Sequence, residues 1–352
     1  MKKLHSLLLA LGLVFLGYLV WKIGPARLGN EFVKLGWGLA LFVAFEFLAE
    51  GLHTKGWSYC LSGAYRRTTW FQLFRIRMAG NAINYLTPTA ALGGEVTKAA
   101  LLSANHKGPE AISGVLVGRL SSGIAHALFV ACGSIVVMFG ASLPRSVWAA
   151  MFASAGIVMT GIVVFLMLQK YGKLGVFIRW LAARAIAGRL LKKIAGEISH
   201  VDEALKAFYR EQPGDLARAV SWQLLGHSTG LLQTWWFLTL LHHPFSAETI
   251  ATVWVLGMWF DLLTFAVPLN MGTLEGSRVV AFKAAGMGAL AGMTYGLALR
   301  LAQLSVAGFG LISYAYMMKT ASQKVPSHPR ETRPHDDRGR SPITAPLRGP
   351  RD

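Results

Sequence analysis

The chain has 352 residues, of which 53% are hydrophobic and only 15% charged. A soluble globular chain carries about 25% charged residues, a disordered one has far less apolar content, and a disulfide scaffold needs more than Cys60 and Cys132. What remains is an all-α polytopic membrane protein, and its net charge of +18 fits basic cytoplasmic loops rather than nucleic-acid binding, because no zinc knuckle or RNP-type motif accompanies it.

Met1-Lys2-Lys3 precedes an apolar run from Leu4 to Trp21. The run is long for a signal h-region and no small-x-small cleavage site follows, so it reads as an uncleaved first span. Five further stretches reach the length needed to cross a bilayer: 35–53, 110–140, 146–169, 215–241 and 290–318. Two segments differ in kind. Segment 71–104 is broken at Pro88, Gly93 and Gly94, and segment 249–287 at Pro268 and Gly272. Each half is too short to cross alone, and non-helical backbone at membrane depth is tolerated only where protein buries it or water lines it. Both therefore read as re-entrant helical hairpins, the alternative being pairs of short or kinked spans. The expected architecture is about six full spans plus two such hairpins.

With the N-terminus in the cytoplasm and each hairpin returning to its own side, the cytoplasmic segments are 1–3, 54–78, 170–214 and 319–352. They hold 24 of the 35 Lys and Arg, against four in the exterior segments 22–34, 141–145 and 242–248, which satisfies the positive-inside rule. Segment 170–214 is basic and amphipathic, with Leu174, Phe177, Ile178 and Leu181 at helical spacing, and is expected on the cytoplasmic leaflet. The basic tail 319–352 holds six of the 13 prolines and is expected to be disordered.

The two broken segments repeat each other. Glu95 follows Pro88 by seven residues, and Glu275 follows Pro268 by seven; Arg119 and Arg300 lie 24 and 25 residues further on. The flanking elements line up as well, giving one repeat over 1–140 and a second over 141–318. Because the first holds three crossings, the second is inverted. Inverted repeats with broken helices are a signature of secondary transporters, and the breaks point to a midplane binding site.

Charges in a bilayer are costly, so they face a cavity or a partner. Glu95 and Glu275 are expected in the first turn of a returning half-helix, where the macrodipole favours negative charge, either as structural caps or as gates of a polar cavity. Arg119 and Arg300 are permanently charged. Each pairs with a glutamate or holds a lipid phosphate bidentately. Asp261, Asn84, Asn270 and Lys98 complete the candidate cavity set, with Asn81, Tyr85, Thr87, Thr273 and Ser277 nearby. Glu46 and Glu50 share one face of the second span. His53, His126, His227, His242 and His243 form no metal-ligand spacing. No metal, cofactor or catalytic triad is expected.

The run Asn84-Tyr85-Leu86-Thr87-Pro88, followed by Gly93-Gly94-Glu95-Val96-Thr97-Lys98 and Gly118-Arg119-Leu120, resembles a signature of the lysylphosphatidylglycerol synthase transmembrane (flippase-like) family. Pro268, Gly272, Glu275-Gly276 and Arg300-Leu301 resemble its second signature, so the resemblance spans residues 4–318. It implies a bacterial or archaeal membrane protein that moves lipids between leaflets, and the general look is compatible with the hopanoid-associated branch. The aminoacyl-transferase domain of two-domain members has no counterpart here, so synthase activity is not implied. Thr97-Lys98 stands where members often carry an arginine nearby, which changes the headgroup contact.

The resulting expectation is a lipid flippase, not an enzyme, in the bacterial inner membrane with both termini cytoplasmic. Its partners would be membrane lipids, with lipid-biosynthesis enzymes as further candidates and no nucleic acid; the oligomeric state stays open. The competing readings are an intramembrane enzyme of glycolipid or hopanoid synthesis, using Glu95 or Asp261 as general base, and a scaffold for such enzymes.

Overall fold

A computed structural model describes residues 14–86, 92–104, 110–140, 145–171, 203, 206–208, 210–212, 214–264 and 270–323. Pro88, Pro268, the first residues of the expected first span, nearly all of segment 170–214 and the tail beyond 323 lie outside them. The described residues form helices joined by turns, with no strand among them. In chain order the helices are α1 (Val14–Ile23), α2 (Pro25–Leu35), α3 (Gly38–Ser58), α4 (Trp70–Leu86), α5 (Leu92–Ser103), α6 (Glu110–Gly140), α7 (Arg145–Lys170), α8 (Asp215–Leu240), α9 (Ala247–Leu263), α10 (Thr273–Ala284) and α11 (Ala289–Gln323). A 3-10 turn, Gly63–Arg67, joins α3 to α4.

Stretches 110–140, 146–169 and 215–241 become helices at nearly their expected bounds, whereas 35–53 becomes α3, which runs on to Ser58, and the expected exterior segment 22–34 is mostly the helix α2. Two further boundaries move. Gly93 and Gly94 belong to the first turn of α5 rather than to the break, and α11 continues to Gln323, into the segment expected to be a disordered tail.

Among the described residues, three helices are long and apolar enough to cross a membrane: Glu110–Met138, Arg145–Val164 and Ala289–Thr320. The α2–α3 pair, bent by 78°, makes a fourth if counted as one span. Helix α8 falls below that apolarity because it carries Gln223, Thr229, Gln233 and Thr234, all buried. These polar groups face protein. Gln223 donates to His53 O at 3.3 Å, Gln233 to Phe42 O at 3.1 Å and Trp236 to Gly38 O at 2.9 Å. Such bonds fix α8 antiparallel to α3, with polar side chains joining helices that the hydrophobic effect alone would not hold together in lipid.

Around this central pair the packing is exchanged. α4 lies along α11, and α9 along α6. α5 packs on α4 and α6, as α10 packs on α9 and α11; α3 meets α11, as α8 meets α6. Each of these contacts therefore has a counterpart in the other half of the chain. Aromatic side chains fill the centre on one side, where Tyr295 meets Phe42, Phe237 and Phe282 with ring centroids 5.0–5.6 Å apart and its hydroxyl lies 3.1 Å from Thr234 Oγ1.

Candidate functional site

Two polar clusters form on the two helix pairs, α4–α5 and α9–α10. Glu95 and Glu275 each occupy the first turn of the second helix of their pair, where free N–H groups and the macrodipole stabilise a carboxylate.

In the second cluster every charge is matched. Glu275 is fully buried and takes a bidentate contact from Arg300, through Nε to Oε1 and Nη2 to Oε2. Arg300 Nη1 also donates to the Tyr85 hydroxyl at 2.9 Å, and Nη2 to the Asn270 carbonyl at 3.0 Å. Asn270 thus contributes its backbone rather than its side chain. It has φ 45° and Gly272 has φ 73°, so the turn before α10 is left-handed at both positions. Asn and Gly are the residues that adopt that conformation at least cost. Asp261 is held by Arg278, Nη1 to Oδ1 at 3.1 Å and Nη2 to Oδ2 at 2.8 Å. Arg278 is 1% exposed and fits only because Gly257 faces it: a Cβ there would meet Nη1 at 2.8 Å.

The first cluster is wired differently. Glu95 pairs with Lys98 at 3.1 Å, not with Arg119. Arg77 Nε donates to Glu50 at 2.7 Å, and Asn81 donates to the same oxygen at 3.1 Å. Asn84 Oδ1 accepts from the Gly94 N–H at 2.6 Å. Gly80 and Gly94 let α4 and α5 approach at backbone distance, since a Cβ on Gly94 would collide with the Gly80 carbonyl and the Asn84 side chain. Arg119 is exposed and makes no ion pair or hydrogen bond among the described residues.

These groups line a cavity of about 60 Å³ bounded by Trp57, Arg77, Asn81, Asn84, Glu95, Lys98, Val115, Gly118, Arg119 and Ser122. Four of the eight expected cavity residues, Asn84, Glu95, Lys98 and Arg119, therefore meet here. Glu275, Arg300, Asp261 and Asn270 do not. Arg119 and Arg300 do not meet in this cavity, and Arg300 is engaged by Glu275, Tyr85 and the Asn270 carbonyl. Within the cavity Arg77 is offset by Glu50 and Lys98 by Glu95, which leaves Arg119 as one uncompensated positive charge.

Arg278 and Arg77 were not singled out from the sequence. The signal for Arg278 lies in the repeat: Lys98 follows Glu95 by three residues and Arg278 follows Glu275 by three, while Asn81 and Asp261 both precede their glutamate by 14. The repeat thus carries five matched positions rather than three. The pairing of Arg77 with Glu50 has no such marker. His53, His126 and His227, from α3, α6 and α8, also converge behind the cavity, with ring centroids 4.8 Å and 5.4 Å from His227. Among the described residues no group of three or more His, Cys, Asp or Glu is placed to hold a metal ion.

A family model for the lysylphosphatidylglycerol synthase transmembrane region matches residues 5–310. The chain is 21% identical over 336 residues to a UPF0104 membrane protein of Methanothermobacter thermautotrophicus, an alignment covering 92% of this chain and 99% of that one. No solved structure matches the chain.

Proposed function

This chain belongs to the lysylphosphatidylglycerol synthase transmembrane family, and on that premise we propose that it is a lipid translocase that moves a lipid with an anionic headgroup between leaflets, without chemical turnover. The observation that carries the reading is the cavity on α4–α5. One surplus positive charge, on an arginine whose guanidinium has no partner among the described residues, suits a singly charged phosphodiester, which Arg binds bidentately. The acyl tails would remain in lipid beside the exposed face of α6.

The reading includes about six spans and two re-entrant hairpins in an inverted repeat, with both termini on the cytoplasmic side of a bacterial inner membrane. The exchanged packing of α4 on α11 and α9 on α6 supports it, because such transporters alternate by moving one repeat against the other. In the opposite state the two halves would trade wiring. Arg119 would close on Glu95, and Arg300 would leave Glu275 to receive the headgroup from the other side. Lipid-synthesis enzymes are natural partners for delivering the substrate.

The test is leaflet exchange of labelled phospholipids in liposomes containing the purified protein. Arg119→Ala and Arg300→Ala are each expected to lower exchange at least tenfold. Exchange that is unchanged by both, and by Glu95→Ala and Glu275→Ala, would sink the proposal. Conversion of the labelled lipid to a new species would replace it with an enzymatic reading.

A further inference from the structure

Glu46 and Glu50 lie one turn apart on one face of α3, yet their surroundings differ. Glu50 accepts from Arg77 Nε at 2.7 Å and from Asn81 Nδ2 at 3.1 Å. Glu46 is met by an amide: Gln233 Nε2 donates to its Oε2 at 3.1 Å. The same nitrogen donates to the Phe42 carbonyl at 3.1 Å, so both of its hydrogens are used. Glu46 Oε1 takes no hydrogen bond, and the carboxyl no ion pair, among the described residues. The other acids inside the apolar helices, Glu50, Glu95, Asp261 and Glu275, each hold a cation. Glu46 is half-buried near the middle of α3, where an ionised carboxylate without a cation is costly. As the neutral acid it avoids that cost, keeps Gln233 on Oε2 and carries its proton on Oε1.

The link to the cavity runs through Glu50. Its two partners, Arg77 and Asn81, are cavity walls, and side chains at i and i+4 on a helix start about 6 Å apart. With Glu46 neutral, Arg77 balances Glu50, Lys98 balances Glu95, and Arg119 is left in surplus. An ionised Glu46 sets a second carboxylate beside Glu50 and offsets that surplus. Helix α8 faces Glu46 with Gln233, α4 reaches it with Arg77 through Glu50, and Arg119 of α6 is a wall of the same cavity. The remaining charged and titratable groups near it are Asp261 on α9, Arg278 on α10 and Tyr295 on α11. Asp261 and Arg278 neutralise each other at 2.8 Å, and the Tyr295 hydroxyl is paired with Thr234.

We infer that the Glu46 carboxyl is a proton-binding site coupled to the headgroup cavity, so that one proton and one phosphodiester anion are taken up together. The inference rests on the translocase reading given above. A proton on Glu46 removes a negative charge from beside the cavity and so favours the anion; an anion in the cavity disfavours a second carboxylate there and so favours the proton. The coupling is reciprocal. Proton and anion enter together and leave together, which ties lipid movement to a proton gradient.

The test is binding to the full-length protein in detergent, by isothermal titration, of short-chain phosphatidylglycerol and of dimethyl phosphate, between about pH 5 and 9, the span over which acids removed from water titrate. Both probes are phosphodiesters with no second ionisation, so their charge is constant throughout. The expected result is affinity that falls with rising pH, approaching about tenfold per pH unit where one proton is linked. An indicator dye should also report proton uptake on binding. Glu46→Gln mimics the neutral acid, so it should bind at every pH as tightly as wild type does at low pH, with no uptake, whereas Glu248→Gln, at an exposed acid on α9, should keep the slope. Linkage with the lipid alone assigns a lipid headgroup site, and linkage with both probes assigns a general phosphodiester site. Wild-type binding with no pH slope and no proton uptake overturns the proton site while leaving the translocase reading intact. So does a slope that survives Glu46→Gln. No binding of either probe at any pH overturns the cavity reading and the inference with it. Should Glu46→Gln fail to fold, Glu46→Asp decides: it keeps an acid on a shorter stem and should keep a slope displaced along the pH axis, and an undisplaced slope overturns the assignment.

Discussion

The helix pairs α4–α5 and α9–α10 carry a glutamate, a cation three residues later and a distant arginine at matching spacing, yet they are in opposite electrostatic states. On the second pair, Glu275 and Arg300 close on each other with Tyr85 and the Asn270 carbonyl completing the guanidinium's bonds. On the first, Glu95 turns to Lys98, and Arg119 lines a cavity with no ion-pair or hydrogen-bond partner among the described residues. A repeated motif therefore sets which charges are available, while the helices packed around it decide which of them meet.

Five substitutions test that contrast, Glu95→Ala serving as the comparison for Glu275→Ala and the others in falling order of their effect on folding. Glu275→Ala strands a buried guanidinium and is expected to cost about 3–5 kcal/mol, read as a lowered unfolding midpoint in detergent. Glu95→Ala, at the partly exposed pair, should lower it far less, and equal losses at the two sites would break the comparison. Gly94→Val forces a side chain into the Gly80 carbonyl and should cost about 1–3 kcal/mol by overpacking; an unchanged midpoint would show that α4 and α5 do not need their close approach. Tyr85→Phe removes one hydrogen bond to Arg300 and should cost about 1 kcal/mol. Because that bond joins the first helix pair to the second, the variant sharpens the contrast further if it also changes the rate of leaflet exchange. Arg119→Ala is expected to leave the midpoint within about 0.5 kcal/mol of wild type, since no partner is lost, while leaflet exchange collapses. A large stability loss there would mean Arg119 has a structural partner after all.

Much of this layout was legible in the sequence, and the reason is period and length. Apolar runs bounded by turn residues gave the helices, and the proline-glycine interruptions separated α4 from α5 and α9 from α10. Partner choice was less legible. The bond from Arg300 to Tyr85 joins residues 215 positions apart, and only the packing of α4 on α11 brings them together. In the sequence Arg77 reads as a topology marker near a basic loop, yet it is 14% exposed and bonded to Glu50. The histidines had no motif because each comes from a different helix. Their convergence depends on the α3–α8 crossing, where a Cβ at Gly226 would meet the His53 ring at 2.6 Å. Arg278 is marked by the repeat itself, at the same offset from Glu275 that Lys98 keeps from Glu95.

The exchanged packing also has a consequence for biosynthesis. Helix α4 ends at Leu86 and its long neighbour α11 begins at Ala289, so about 200 residues must be made before the first pair finds the surface it rests on. Until then Arg77, Glu95 and Lys98 have Glu50 and their neighbours on α3, α5 and α6, but not α11. Helix α9 waits for nothing, because α6 is already in place when it emerges. Assembly is therefore lopsided even though the finished packing is balanced, and α4 gains its long neighbour only once α11 has been made.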